Sequence, residues 1–379
     1  MSRGRILVLV SNDLTYDQRV RKTCVSLQRA GYEPVLIGRR MAKGDSVAID
    51  RPYPTERLWL PFLKGPAFYW SLQRALHRVL RQRHGEGGVT AVWANDLDTL
   101  WPAVRAAKRY GWSIAYDSHE WFTEAEGLKG KPMRKAIWRA WERRCFRHVE
   151  RMLTVNSAIA DAYRAMGLTV EVVPNVPERA ERPAVPMERA ALGWPEDRKV
   201  LLMQGAFMDR DRGALDAVRS LQFLPEVHLA LIGAGPEHAA ARGVADQIGV
   251  SDRLHVHDRK PFDELRRCTA AADVGLSLDR PTVDNFRFSL PNKLFDYLHA
   301  GLPVVCSDLP VAGRFVREHA VGQVAAGAAG PEELARNVAL AVEKLAAAPP
   351  SAEHLESVAA MHHWAAHEDR LLAAIHAVR

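Results

Sequence analysis

Residues 284–309 read DNFRFSLPNKLFDYLHAGLPVVCSDL. Pro291 suits the first turn of a helix, where its missing N–H leaves no intrahelical bond unmade. Leu294, Tyr297 and Leu298 recur at helical spacing and give that helix an apolar face. Gly301 is placed to end it after His299 and Ala300, and Pro303 forbids continuation. Val304, Val305 and Cys306 then read as a short buried strand. A helix start presents free N–H groups and the positive end of a dipole, which favours an anion. Lys293 adds a cation in that first turn, and Asp296 a carboxylate one helical step on. Donors for phosphates beside an acceptor for ribose hydroxyls are what a nucleotide diphosphate requires. The same spacing also fits a packing helix with Lys293 and Asp296 solvated, and both readings stand on spacing alone.

Outward from this stretch the chain alternates strands and helices. Arg5–Val10 reads as a buried parallel strand, and a helix with Val20, Cys24 and Leu27 on one face ends at Gly31. Further strands are expected at 34–37, 90–93, 114–116, 152–155 and 170–173. The segment 174–198 holds five prolines and many charges, and is expected to be a linker from 179 to 198. The alternation then restarts, with strands at 200–203, 228–232, 254–257, 274–278 and 304–306. The fold class is α/β, with two domains of mostly parallel sheet, 1–178 and 199–355, and a helical tail at 356–379.

A chain of 379 residues with 47% hydrophobic and 26% charged residues is long enough for two domains with real cores. It has no run of eighteen apolar residues and no signal-peptide pattern at its start. Cys24, Cys145, Cys268 and Cys306 are scattered without metal spacing, so reduced thiols and a cytoplasmic location are expected. The net charge of +7 suits anionic ligands or an acidic membrane surface. No nucleic-acid-binding signature accompanies it, so nucleic acid is not an expected partner.

SLPNKLFDYLHAGLPVV resembles the nucleotide-sugar segment of retaining GT-B glycosyltransferases of the family-4 type. The resemblance implies two Rossmann-like domains with a cleft between them and a C-terminal helix crossing back to the first. It also implies sugar transfer from a nucleotide diphosphate-sugar to a hydroxyl acceptor, a glycan or lipid-linked molecule in envelope polysaccharide or glycolipid synthesis. The ribose-binding glutamate of the family falls on Asp296. Its second glutamate, eight residues earlier and on the donor sugar, falls on Phe288, so half of that motif is missing. An epimerase of the same fold and a non-catalytic membrane-associated scaffold are the alternatives.

The family's glycine-rich turn and basic residue near the donor phosphates correspond to Gly205 and Arg212, with Arg210 able to substitute for an arginine that is Ala206 here. Gly233-Ala234-Gly235-Pro236 reads as a tight turn bordering the donor site, with His238 where a dinucleotide loop would need its third glycine. Pro291 and Asn292, at the expected helix start, join the donor-binding set. Asp117-Ser118-His119-Glu120 follows a strand, and strand C-termini face the ligand crevice in open α/β sheets. The resemblance puts His119 on the donor sugar, with Lys293 and Arg212 stabilising the leaving diphosphate. It puts Asn12, Asp17, Arg19 and Asp96 on the acceptor side. Asp96-Leu97-Asp98 is a D-x-D string, but Asp98 equally suits a helix cap. Neither a metal nor a cofactor is expected. Finally, residues 59–83 and 129–151 mix aromatic with basic residues, which fits core packing with a basic outer face or binding to an anionic membrane.

Overall fold

Apolar runs bounded by turn residues become parallel strands, and the amphipathic runs between them become the covering helices. The structure is a computed structural model that describes every residue except 1, 16, 41–49, 63, 150, 180–183 and 377–379. It divides into two compact units, one of residues 1–175 with 364–379 and one of residues 176–363.

The first unit runs β1 (Arg5–Leu9), α1 (Gln18–Arg29), β2 (Glu33–Arg40), β3 (Thr55–Trp59), α2 (Gly65–Glu86), β4 (Val89–Asn95), α3 (Leu97–Tyr110), β5 (Ser113–Ser118), α4 (Pro132–Phe146), β6 (Arg151–Thr154), α5 (Ser157–Arg164) and β7 (Thr169–Val172). Its seven-stranded parallel sheet has the order β3-β2-β1-β4-β5-β6-β7. Leu7 and Leu9 meet one hydrophobic cluster, while Ile6 and Val8 meet another, as expected for a strand covered on both faces. The Asp17 carboxylate caps α1 by accepting from the Val20 N–H at 3.0 Å.

The second unit runs β8 (Lys199–Gly205), α6 (Ala214–Ser220), β9 (Val227–Gly233), α7 (Pro236–Ile248), β10 (Leu254–Asp258), α8 (Phe262–Ala270), β11 (Val274–Ser277), α9 (Asp284–Arg287), α10 (Asn292–His299), β12 (Val304–Ser307), α11 (Ala312–Glu318), β13 (Gly322–Ala325), α12 (Pro331–Ala347) and α13 (Ala352–Met361). Its six-stranded sheet has the order β10-β9-β8-β11-β12-β13. The chain then returns to the first unit, where Trp364 and α14 (Glu368–His376) close the cluster of Ile6, Val8, Val20 and Leu27.

Several expectations are corrected. The first unit ends at Asn175 rather than 178, and Leu192 and Trp194, expected in the linker, are buried in the second unit's core. Residues 180–183 of that linker lie outside the described residues. The returning segment starts at Trp364, not 356, because Leu355, Val358 and Ala359 of α13 bury their apolar face in the second unit. The strands β3 and β13 were not expected. β3 carries the adjacent charges Glu56 and Arg57 and lies at the edge of the sheet, where charged residues are tolerated. Among the described residues, no helix is long and apolar enough to cross a membrane.

Candidate functional site

In the second unit, β8 and β11 are neighbours at the point where the strand order reverses. Loops leaving the C-terminal ends of two such strands diverge and leave a crevice. Arg212 lies in the loop after β8, Asp279 two residues past the end of β11, and Lys293 in the first turn of α10. Arg212 Nη1 donates to Asp279 Oδ1 at 2.8 Å, and Lys293 Nζ stands 3.1 Å from Oδ2. Ser277 Oγ donates to that same Oδ2 at 3.2 Å. The Arg212 guanidinium also lies over the Phe286 ring, 4.6 Å from its centroid. Side-chain exposure falls from 34% at Arg212 to 12% at Lys293 and 1% at Asp279, so the carboxylate is the deepest of the three. Burial pushes the Asp279 carboxyl up, but Lys293 and Arg212 outweigh it and hold it below the usual range. Burial, with help from Arg212, draws the Lys293 ammonium below its ordinary value against the pull of Asp279.

The rest of the expected donor set lies on α10, on the segment just before it, and at or after the ends of β8 and β9. Pro291 takes the N-cap position (φ −64°, ψ 138°) and the helix begins at Asn292, one residue later than expected. No side chain caps that start. Asp296, half-buried, lies 3.4 Å from the Gln204 amide nitrogen, whose Oε1 in turn stands 2.8 Å from Thr269 Oγ1. Tyr297 ties α10 to the sheet, since its hydroxyl accepts from Gln204 N–H and donates to Leu276 O, each at 3.1 Å. Gly275 makes room for that ring, because a Cβ there would stand 2.2 Å from it. Phe288 is half-buried with the Arg287 guanidinium 5.2 Å from its ring. Gly205, Gly233 and Gly235 let two loops lie backbone to backbone: Met208 N–H donates to Ala234 O at 2.7 Å, and a Cβ on Gly233 would stand 2.1 Å from Gly205 O. Arg210 is exposed and takes no part in the Asp279 cluster.

The first unit has its own reversal point between β1 and β4. His119, just after β5, donates its backbone N–H to Asp96 Oδ1 at 2.9 Å. Its ring Nε2 lies 3.0 Å from Asn95 Oδ1 and 3.4 Å from Asp117 Oδ2, and Nδ1 lies 3.7 Å from Asp96 Oδ2. Burial opposes the imidazolium, but Asp96 and Asp117 overcome it and raise the His119 pKa to about 9. Asp96 sits at φ 59°, a left-handed conformation uncommon outside glycine. Asp98 does not cap α3; it lies buried in the first turn, with Asp96 at the N-cap position. Arg19 does not line a surface: it is 2% exposed and binds Asp117 and the Val173 carbonyl. Asn12 and Asp17 bond to each other at 2.7 Å and shape the loop that starts α1. Among the described residues, no group of three or more His, Cys, Asp or Glu side chains is placed to hold a metal ion.

Asp279 and Gln204 were missed from the sequence, and Asp117 was noted there without its tie to Arg19. Each lies at or just past the C-terminal end of a strand, the same positional signal that singled out His119.

The two aromatic and basic stretches split by residue. Trp138, Trp141 and Phe146 pack on the first unit's core with Phe68. Trp59, Trp70, Met133 and Ile137 are 68%, 58%, 80% and 62% exposed.

Comparison with known proteins follows the two units. Residues 16–176 match the family described as "Glycosyl transferase 4-like domain", and residues 198–344 the family described as "Glycosyl transferases group 1". A lipopolysaccharide core biosynthesis glycosyltransferase, LpsD of Rhizobium meliloti (strain 1021), is 31% identical over 111 residues, which are 29% of this chain and 32% of that protein. The match thus spans about a third of that relative's length. Among solved structures, HepE of Anabaena in complex with UDP-glucose has a TM-score of 0.73 at 15% identity, covering 99% of this chain and 100% of that one. Sucrose-phosphate synthase from Thermosynechococcus elongatus gives 0.73 at 18% identity, covering 97% of both chains. WaaG, a glycosyltransferase involved in lipopolysaccharide biosynthesis, gives 0.72 at 15% identity, covering 98% and 99%. At these identities the structures establish the shared fold.

Proposed function

We propose that this chain is a GT-B glycosyltransferase of the group 1 family, one that transfers a sugar, with retention, from a nucleotide diphosphate-sugar to a hydroxyl of an envelope glycan or glycolipid. The observation that carries the reading is the convergence of Arg212 and Lys293 beside Asp279 at the reversal point of the second sheet. In the transfer, the bond from the anomeric carbon to the diphosphate oxygen breaks and the acceptor oxygen bonds to that carbon on the same face. Same-face attack sets the acceptor hydroxyl beside the departing diphosphate, which takes its proton. Negative charge grows on the diphosphate as the bond breaks, so Arg212 and Lys293 bind the transition state more tightly than the ground state. Asp296 receives the ribose hydroxyls, Phe288 borders the sugar, and His119 is assigned to the transferred sugar. The basic groups handle the diphosphate without a divalent ion.

Lipopolysaccharide biosynthesis is the role of LpsD and WaaG, and HepE is seen with UDP-glucose; these point to an envelope acceptor and make uridine diphosphate-sugars the first donors to test. The exposed Trp59, Trp70, Met133 and Ile137, among many Lys and Arg residues, suit peripheral attachment to an anionic membrane where such an acceptor is held. Incubation with a panel of nucleotide-sugars, with and without lipid-extracted acceptor and with EDTA, tests the reading, and NMR of the product reads the anomeric configuration. Transfer that needs acceptor and survives EDTA is expected. Sugar interconversion with donor alone indicates an epimerase, and no donor turnover or nucleotide binding under any condition overturns the assignment.

A further inference from the structure

The two cations of the donor site do not stand alone, and the residue between them has no place in the reaction as written. Asp279 is 1% exposed, so a ligand meets Arg212 and Lys293 before it meets this carboxylate. Each of its oxygens is committed: Oδ1 to Arg212, Oδ2 to Lys293 and Ser277. We propose that Asp279 is a positioning residue for the donor diphosphate, one that fixes the spacing of Arg212 and Lys293 and keeps Lys293 cationic. This rests on the donor-site reading above.

Two like charges brought together repel, and a shared counter-ion removes that repulsion while setting their separation. A lysine out of water tends to lose its proton unless an anion faces it. The charged groups acting on Lys293 are Asp279 from the loop after β11, and Arg212 and Asp209 from the loop after β8. Arg212 works against the ammonium and the buried Asp279 works for it, with Asp209 adding to Asp279 less strongly. Asp279 follows a core strand and is fixed by Ser277, whereas the Arg212 loop and the α10 start are separate segments that need a common anchor.

The test compares wild type with Asp279→Asn, Asp279→Glu and the double variant Asp279→Asn/Lys293→Arg, each shown to be folded by circular dichroism. The Lys293 side chain is titrated by heteronuclear NMR, and UDP binding is followed by calorimetry over the same pH range. Asp279→Asn is expected to move both the NMR midpoint and the alkaline fall of UDP affinity down by about one to three pH units. Asp279→Glu keeps the wild-type limb, and the double variant loses it, because arginine does not titrate there. An unchanged Lys293 midpoint in folded Asp279→Asn overturns the inference. Absence of UDP and other nucleoside diphosphate binding in wild type overturns instead the donor-site reading, and with it this one. The NMR titration needs no nucleotide, so the two failures are told apart.

Discussion

Arg19 and Asp117, ninety-eight residues apart in sequence, face each other through two hydrogen bonds of 3.0 and 2.7 Å, with side-chain exposures of 2% and 0%. His119 stands 3.4 Å from the same carboxylate. A buried arginine thus holds the anion that helps hold an imidazolium, and the loop after β5 is fixed from behind.

Loss of that arginine takes from a buried carboxylate both of its guanidinium hydrogen bonds. Arg19→Met is expected to destabilise the protein by about 3–5 kcal/mol. Urea unfolding of the purified variant measures this. A change below about 1 kcal/mol would show that the pair is not what anchors the loop.

His119 makes stability depend on pH in a defined direction. Its pKa is raised from 6.5 to about 9 on folding. The folded state therefore binds this proton more tightly than the unfolded chain. The stabilisation is complete below about 6.5 and is lost as pH rises through about 9. Unfolding free energies of wild type and His119→Gln should converge across that window. Parallel curves would mean that the imidazole is not held cationic.

Asp296 and Lys293 should fail differently when removed. Ribose hydroxyls are alike in ground and transition states, so folded Asp296→Ala should chiefly raise the donor KM. Lys293 meets a charge that grows during cleavage, so Lys293→Ala should lower kcat about 10- to 1000-fold. Steady-state kinetics with varied donor separate the two, and wild-type kinetics in both would reduce α10 to a packing helix.

Gly275→Ala places a methyl where the Tyr297 ring lies, 2.2 Å from its nearest atoms. Overpacking of this kind costs about 1–3 kcal/mol. Because Tyr297 also bonds to Gln204 and Leu276, the displaced ring should weaken UDP binding along with Tm. Calorimetry on the variant at a temperature where it remains folded checks the second effect. Unchanged Tm and affinity would show that α10 shifts freely.

Vesicle flotation addresses the exposed apolar residues. Wild type should float with vesicles containing acidic phospholipid and not with neutral ones, and Met133→Glu/Ile137→Glu should abolish this. Equal behaviour of the two proteins would leave that face of α4 without a membrane role.

The α/β alternation was legible because buried parallel strands are short apolar runs, and eleven such runs could be placed. β3 escaped because TERLW has one apolar side chain in its middle stretch and reads as a charged loop. The donor-site cations were legible from a motif, Asp279 was not. In S-L-D-R-P it looks like a turn residue, and only the fold brings the loop after β8 and the start of α10 onto it. Arg19 misled for a related reason. A charged residue in a polar stretch is usually solvated, and its buried partner lies 98 residues further along the same unit.

The return of Trp364–His376 to the first unit fixes an order of events during synthesis. Trp364 is 2% exposed, its indole donates to Ser26 Oγ at 2.9 Å, and Leu371 is fully buried in one cluster with Val20 and Leu27 of α1. The ribosome therefore releases all of the second unit while the groove beneath Val20 and Leu27 is still open. The first unit waits as an incomplete intermediate with bare apolar surface, and a segment made after the whole second unit closes it. Nascent chains stalled before residue 364 should accordingly be held by chaperones and cut by protease within the first unit, while the second is already resistant.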